Sequence, residues 1–246
     1  MCNIVYEDNH LLVVEKPPNL LTQGDATGDP CLLDKMKQSL RERYHKPGEV
    51  YLGCVHRLDR PVGGLVALAR TSKAAARLSE QLRAHAMQRE YLAVVRGADL
   101  PPEGVCEDWL SKDEAGGSVC RVAAGTPGAQ WARLAWRRLA ADAGTDRALL
   151  HIALDTGRKH QIRVQLAGMG HPIVQDLRYG SGTPGEPIAL WGAVLLLTHP
   201  TRHETMTFTS PPQGKAFAPF AAEASVLLAA RARGEAALPL LPGANA

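Results

Sequence analysis

The sequence lacks most of the features that identify secreted, metal-binding or membrane-spanning proteins. Its five cysteines are odd in number, widely spaced and without a C-x-x-C pair, which argues against a disulfide framework or a structural zinc site. No apolar run approaches the ~18 residues of a membrane span, and no signal segment opens the chain. We therefore expect a protein of the reducing cytoplasm that binds no membrane and no metal.

The composition is that of an ordinary folded protein. The chain has 246 residues, of which 45% are hydrophobic and 22% charged. This length can bury a full core, so we expect a single catalytic domain over residues 1–246, with a flexible tail at about 233–246.

The net charge of +3 is too small to indicate a polyanionic partner by itself. The charge is unevenly distributed, however: residues 56–96 contain eight Arg or Lys and only three acidic residues. This excess predicts a positive face, although a solvated helix surface is an alternative explanation.

The hydrophobic patterns predict an α+β fold. The predicted strands are 4–6, 11–14, 50–55, 65–69, a segment around "EYLAVVRG", 130–139, 147–154, 188–197 and 205–209, and the predicted helices are 31–44, one after Thr71-Ser72, one around 162–169 and an Ala-rich segment near the C-terminus. Strands outnumber helices and follow one another mostly as hairpins, which favours a mixed, mainly antiparallel central sheet with helices and loops packed on it. The polar, Gly-rich residues 113–128 are typical of a long hairpin loop.

One short stretch concentrates unusual chemistry. In "VHRLDRPVGGLVALAR", a single carboxylate, Asp59, lies between Arg57 and Arg60 just before a buried strand. Nearby positive charge keeps a carboxylate ionised, so Asp59 is suited to act as a nucleophile or a base. The alternative from local sequence is an ordinary loop ion pair or turn contact.

Two further segments carry candidate site residues. "DTGRKHQIR" places Arg158, Lys159, His160 and Arg163 near a helix start, where backbone N–H groups favour a phosphate or a carboxylate. The alternative is a basic helix end with a structural histidine. In "QREYLAVVRG", Tyr91 lies in a strand among charged neighbours, a position that core tyrosines also occupy.

Taken together, these segments resemble a known family. "KPPNLL", "HRLDRPVGGLVALAR", "REYLAVVRG", "GRKHQIRVQLAGMGHPIVQDLRYG" and "THPTRHETMTFTSPP" are similar in order and spacing to the RluA family of pseudouridine synthases, over about Ile4 to Phe220. The resemblance implies the pseudouridine synthase fold. Because the matching segments begin at Ile4, we expect the catalytic domain without an N-terminal S4 domain.

The resemblance also implies an activity and a catalytic set. The activity is isomerisation of uridines in structured RNA to pseudouridine. Asp59 would act on the flipped-out uridine as nucleophile toward the sugar or the base, or as the base that removes a sugar proton. Tyr91 would stack on the uracil and Arg163 would pair with Asp59.

The expected partner is a stem-loop of ribosomal or transfer RNA, bound by a monomer. Arg57 would fill the gap left by the flipped base or hold its phosphate. The other candidate RNA-binding residues are His56, Arg60, Arg89, Arg158, Lys159 and His160. Isomerisation consumes no redox equivalents or energy, which fits a chain without G-x-G-x-x-G or P-loop motifs, and no cofactor is expected.

Two other functions compete with this interpretation. Val62 and Gly63 stand where family members usually have Thr-Ser, so the chain could be a non-catalytic RNA-binding protein that retains the fold. A cysteine hydrolase using Cys54 and His56 is the second alternative, since two residues apart on a strand project to the same face.

Overall fold

The computed structural model describes residues 2–113, 117–235 and 238. The chain folds into two compact units, one formed by Met1–Gln88 with Gly192–Ser210 and the other by Arg89–Trp191 with Pro211–Ala246. Most of the predicted tail at 233–246 lies outside the described residues. In the part of the chain that the structure describes, no helix is long and apolar enough to cross a bilayer.

The described secondary structure consists of runs of two to five strands separated by single helices. The helices are α1 (Leu32–Arg43), α2 (Ser72–Arg83), α3 (Gln161–Gly168) and α4 (Ala221–Ala232), with a 3-10 turn at Lys215–Phe220. The strands are β1 (Asn3–Glu7), β2 (Leu11–Lys16), β3 (Gly53–Cys54), β4 (Gly63–Ala69), β5 (Gln88–Arg96), β6 (Glu103–Lys112), β7 (Val119–Val122), β8 (Gln130–Asp142), β9 (Arg147–Leu154), β10 (Leu190–Thr198) and β11 (Thr205–Thr209).

In the first unit the strands lie in the order β1-β2-β4-β10, with β3 paired to β4 and β11 paired to β10. Strands β2 and β4 are antiparallel, in a register that runs from Leu11 opposite Ala69 to Lys16 opposite Gly64. Nearly every side chain of these two strands is buried, which is why both read as continuous apolar runs. Helix α2 begins at a Thr71 cap and packs Ala74 and Leu78 into the same core.

In the second unit the strands lie in the order β5-β9-β8-β6-β7, and each neighbouring pair is antiparallel. Helix α3 packs against this sheet, because Val164 joins Leu110, Val119 and Ala132 in one buried cluster. The helix is therefore fixed to the β6, β7 and β8 strands, and the residues that begin it are fixed with it.

A buried charge cluster attaches helix α4 to the second unit. Arg231 of α4 donates from Nε and Nη2 to the Glu90 carboxylate of β5, at 3.0 and 2.7 Å. His151 Nε2 of β9 lies 2.8 Å from the same carboxylate. Burial alone would raise the pKa of Glu90, but the hydrogen bonds and positive charges of His151 and Arg231 hold it below its usual value.

The predicted α+β fold with a mainly antiparallel sheet is confirmed. Two local expectations are wrong. Residues 50–55 form a strand only at Gly53–Cys54, and the stretch 113–128 contains strand β7 instead of being only a loop. The whole of β6 escaped sequence analysis because it interrupts its apolar residues with Gly104 and acidic side chains, and its pairing with β8 is long-range.

Substituting Arg231→Met is expected to lower the free energy of unfolding by about 3–5 kcal/mol, because it leaves the Glu90 carboxylate buried without its bidentate partner. Urea unfolding at pH 7 measures this change. Arg233→Met is the matched control: Arg233 and Glu235 are both largely exposed, so about 0–1 kcal/mol is expected. Equal effects of the two substitutions would contradict the importance of the cluster.

Candidate active site

Asp59 lies in the loop that connects β3 to β4. Side chains alternate along the approach to it: His56 and Leu58 are buried, whereas Arg57 is exposed. Asp59 itself is half-buried, and its carbonyl accepts a hydrogen bond from the Val62 amide at 3.0 Å, which closes a tight turn. The carboxylate is thus carried on a short loop whose alternate side chains are anchored in the core.

The Asp59 loop is attached to the segment that follows β2. The Thr22 hydroxyl donates to the Leu58 carbonyl at 2.8 Å and accepts from the Leu58 amide at 3.2 Å. The Lys16 ammonium donates to the carbonyl of Arg60, and the Arg60 guanidinium pairs with Asp29 at 2.6 Å. Contacts therefore hold the backbone on both sides of Asp59.

Glycine is required where this loop enters the sheet. Gly64 has a φ of +123°, and a Cβ placed there would lie 2.4 Å from backbone atoms of Gly192 on β10. Val62 is 2% exposed, so the apolar residue found where the family usually has threonine occupies a buried site. The backbone bond from Val62 to Asp59 closes the turn without a side-chain hydroxyl.

The Cys54 and His56 side chains do not form an activated pair. Burial raises the pKa of the Cys54 thiol, and its Sγ donates to the backbone carbonyl of His56. His56 Nε2 accepts the Ala67 amide at 3.0 Å. A nucleophilic cysteine needs a stabilised thiolate and an available base, so this geometry gives no support to a cysteine hydrolase.

Helix α3 begins with a strained residue and a buried glutamine. His160 immediately precedes the helix with a φ of 54°, in the left-handed region. The Gln161 amide oxygen accepts from the Thr156 hydroxyl and the Arg158 amide, and its Nε2 donates to the Arg133 carbonyl at 2.9 Å. This network fixes the turn that carries the basic residues 158–160.

Arg163 is held rigidly inside the second unit. Its Nε and Nη2 each donate to the Asp176 carboxylate at 2.8 Å, and both residues are buried. The Tyr179 ring lies against the guanidinium, with 5.3 Å between its centroid and Arg163 Cζ. The Tyr179 hydroxyl also lies 2.8 Å from His160 Nδ1, so Arg163 and His160 meet at the same tyrosine.

Asp176 keeps its charge although it is buried. Burial raises the pKa of this carboxyl, but Arg163 and the amides of Arg178 and Tyr179 outweigh that effect and hold it below its usual value. Asp176 therefore fixes the orientation of the whole Arg163 guanidinium, because that group is planar and rigid.

Tyr91 and Arg89 lie on strand β5. Tyr91 is 6% exposed and pairs with Ile152 of β9 in the sheet. The Arg89 guanidinium lies against Gly157, where a Cβ would come within 2.6 Å of Nη1. Gly157 thus makes room for a cation beside the turn that leads into α3.

The other basic candidates differ in exposure. Arg57, Arg60, Arg158 and Lys159 are exposed to solvent. Arg158 donates to the Trp131 carbonyl and Lys159 to the Gly117 carbonyl, at 2.9 and 2.7 Å. His56 is buried and bonded to β4, so its RNA contact stays a prediction.

Sequence analysis missed several residues that hold the candidate side chains. They are Lys16, Thr22, Gln161, Asp176 and Tyr179. Asp176 and Tyr179 stand in "QDLRYG", a segment that contributed to the resemblance without an assigned role. Asp59 belongs to the first unit, and Tyr91 and Arg163 belong to the second. Among residues 2–113, 117–235 and 238, no three His, Cys, Asp or Glu side chains form a group able to hold a metal ion.

Residues 10–168 match the family model described as RNA pseudouridylate synthase. The chain is 32% identical over 182 residues to an uncharacterised RNA pseudouridine synthase of Bacillus subtilis, which covers 74% of this chain and 58% of the relative. It is 33% identical over 220 residues to ribosomal large subunit pseudouridine synthase D of Nitrosomonas europaea, which covers 85% of this chain and 61% of the relative. The chain thus spans about three-fifths of the length of these relatives.

A solved structure shares the fold. The human RNA pseudouridylate synthase domain containing 4 superposes with a TM-score of 0.71 at 22% sequence identity, covering 92% of this chain and 93% of the human one. At this identity the likeness establishes the fold.

Substituting Asp176→Asn is expected to lower the free energy of unfolding by about 3–5 kcal/mol at pH 7, because it removes the buried bidentate partner of Arg163. The Asp176 pKa is held below its ordinary 3.8, so its stabilising effect is complete above that pH. The effect is lost as the pH falls through the lower, folded-state pKa. The difference between wild type and variant should therefore shrink in acid.

Urea unfolding at a series of pH values from 7 downward measures this difference. Asp99→Asn, at an exposed carboxyl, is the control and should change the unfolding free energy little at any pH. A wild-type advantage over Asp176→Asn that stayed constant into acid would show that the ion pair is not its source.

Proposed function

Because the chain belongs to the RNA pseudouridylate synthase family, we propose that it converts uridines in structured RNA to pseudouridine. The observation that carries the proposal is the family match over residues 10–168, which includes the whole Asp59 loop, Tyr91 and Arg163. The local geometry supports it, since the Asp59 loop is anchored on both sides of the carboxylate and Arg163 is oriented by Asp176.

The proposed reaction is an isomerisation with no net change in composition. The bond between ribose C1′ and uracil N1 breaks, the base turns while it is held, and C5 bonds to C1′. The proton on C5 is lost and N1 gains a proton. Nothing is oxidised or reduced, so we propose that the reaction needs no cofactor and no metal.

Asp59 is the proposed reactive group. It acts as nucleophile toward the sugar or the base, or as the base that removes a sugar proton. Each role needs an ionised carboxylate with a fixed orientation. The turn closed by the Val62 amide and the two hydrogen bonds between Thr22 and Leu58 support this requirement, because they hold the backbone that carries Asp59. The absence of a threonine hydroxyl at position 62 does not open the loop, because the bond that closes it is made by the backbone.

Tyr91 and Arg163 are proposed to act on the same uridine as Asp59. The Tyr91 ring would stack on the uracil, a contact worth ~1–3 kcal/mol per base. Arg163 would supply the positive charge that pairs with the Asp59 carboxylate. Its bidentate bond to Asp176 supports this role, since a guanidinium fixed on one side presents its other donors in a defined direction.

The target uridine must leave its stack before a carboxylate can reach C1′, and extrusion costs a few kcal/mol. We propose that Arg57, exposed beside Asp59, fills the gap or holds the flipped nucleotide's phosphate. The remaining proposed RNA contacts are His56, Arg60, Arg89, Arg158, Lys159 and His160. The substrate is proposed to be ribosomal or transfer RNA. Because one relative is named for the large ribosomal subunit, the RNA of that subunit is the first substrate to test. We further propose that the protein acts as a monomer in the cytoplasm.

Substituting Asp59→Asn is expected to reduce pseudouridine formation by at least about 100-fold while RNA binding is retained, because the amide is isosteric but neither nucleophilic nor basic. The substrate is total RNA from cells that lack the gene, incubated with purified protein and mapped for pseudouridine at base resolution. Filter binding to the same RNA measures affinity.

Cys54→Ser is the matched control, since it alters a polar side chain of the same strand and loop region, and it should leave formation unchanged. Formation by neither wild type nor variant, with RNA binding intact in both, would favour the non-catalytic RNA-binding alternative. Loss of activity in Cys54→Ser alone would reject Asp59 as the reactive group.

A further inference from the structure

Lys16, the last residue of β2, is a fully buried lysine near the Asp59 loop. Its side chain is 0% exposed. Its ammonium donates to three backbone carbonyls, those of Pro17 at 3.1 Å, Leu20 at 2.7 Å and Arg60 at 3.1 Å. An ammonium has three N–H groups, and here each has an acceptor. The side chain is therefore fixed in one position.

The three carbonyls connect distant parts of the first unit. Pro17 and Leu20 belong to the turn that ends β2, whereas Arg60 directly follows Asp59 and is 44 positions away from Lys16. The main chain of Lys16 also pairs with Gly64 in the ladder between β2 and β4. Lys16 thus holds the segment 60–64 at both ends, by its side chain at Arg60 and by its backbone at Gly64.

The charge of Lys16 is balanced mainly by Asp59. Burial lowers the pKa of Lys16 to about 7, and the Asp59 carboxylate is the largest influence in the opposite direction, followed by Cys2. Burial also raises the pKa of the Cys2 thiol, so Cys2 remains neutral around pH 7. The Arg60 guanidinium is paired with Asp29. Asp59 is therefore the main charged group that favours the protonated form of Lys16.

We propose that Lys16 is a positioning residue for Asp59: its ammonium fixes the backbone beside Asp59 and supplies a buried positive charge to the carboxylate. This rests on the proposed function, in which Asp59 is the reactive group. Lys16 does not touch the substrate in this proposal and acts only through the Asp59 loop.

The proposal has a consequence for the pH dependence of catalysis. When Lys16 loses its proton it becomes neutral and has two N–H donors for three carbonyls. One of the three carbonyls then loses its donor, which loosens the packing around the Asp59 loop, and the Asp59 carboxylate loses the positive charge of Lys16. Activity should therefore decline as the pH rises through the neutral range, and this decline should depend on Lys16.

The first experiment compares Lys16→Met and Lys16→Arg with wild type between pH 6 and 9. Pseudouridine formation is measured under single-turnover conditions, with protein in excess over total RNA from cells that lack the gene. Lys16→Met is expected to lower the rate constant by ~10–100-fold without changing the half-saturating protein concentration, because the reactive group is misplaced and RNA contacts are intact. Lys16→Met should also lack the alkaline decline.

Lys16→Arg remains charged over this range, so it should recover part of the activity and retain it at pH 9. Lys215→Met, at an exposed lysine, is the matched control and should behave as wild type. A Lys16→Met protein with the wild-type rate, or with a reduced rate but the wild-type pH profile, would overturn the proposal. The second result would assign Lys16 a purely structural role.

A second experiment does not depend on activity or on the folding of a Lys16 variant. Protein labelled with ¹⁵N at lysine side chains is titrated by NMR in wild type and in Asp59→Asn. Removing the carboxylate should shift the Lys16 titration to lower pH, because its countercharge is lost. An unchanged Lys16 titration would overturn the proposal. Full activity of Asp59→Asn, in contrast, would overturn the proposed function while leaving the coupling of Lys16 and Asp59 measurable.

Discussion

Buried charges with satisfied hydrogen bonds determine how this protein presents its candidate catalytic groups. A charge removed from water is tolerated only where opposite charges or oriented dipoles replace the lost hydration. Lys16 meets this requirement with three carbonyls, and Arg163 meets it with Asp176. Such sites accept one geometry, because any displacement leaves a donor or an acceptor without a partner. Buried charges of this kind therefore fix the orientation of the side chains next to them.

The two compact units use this constraint separately. In the first, Thr22 and Lys16 secure the backbone on either side of Asp59, and Gly64 lets the loop enter the sheet close to Gly192. In the second, the sheet β5-β9-β8-β6-β7 supports α3, while Asp176 and Tyr179 fix the side chain that α3 presents. Each unit thus holds its own candidate catalytic side chain in place without a contribution from bound RNA.

The sequence predicted secondary structure correctly where the signal lies in neighbouring residues of the chain. The hairpin of β1 and β2, helix α1, the Thr71 cap of α2 and strand β11 all lie where the pattern predicted them, because turn residues, caps and apolar periodicity are local. Strand β6 was missed because its pairing with β8 is long-range. Strand β7 was missed because it is short and is held by its hairpin with β6 and by packing under α3. Helix α3 is buried on almost all sides, so its arginine lies inside the unit and not on a polar face.

The sequence by itself determined the family, the α+β class and the three candidate catalytic residues, because these depend on residue identity and order along the chain. Only the tertiary structure decided which side chains hold them. Asp176 lies 13 positions from Arg163, and Lys16 lies 44 positions from Arg60. No periodicity links such pairs, since burial of a charge selects partners by distance in space and leaves their separation in the chain unconstrained.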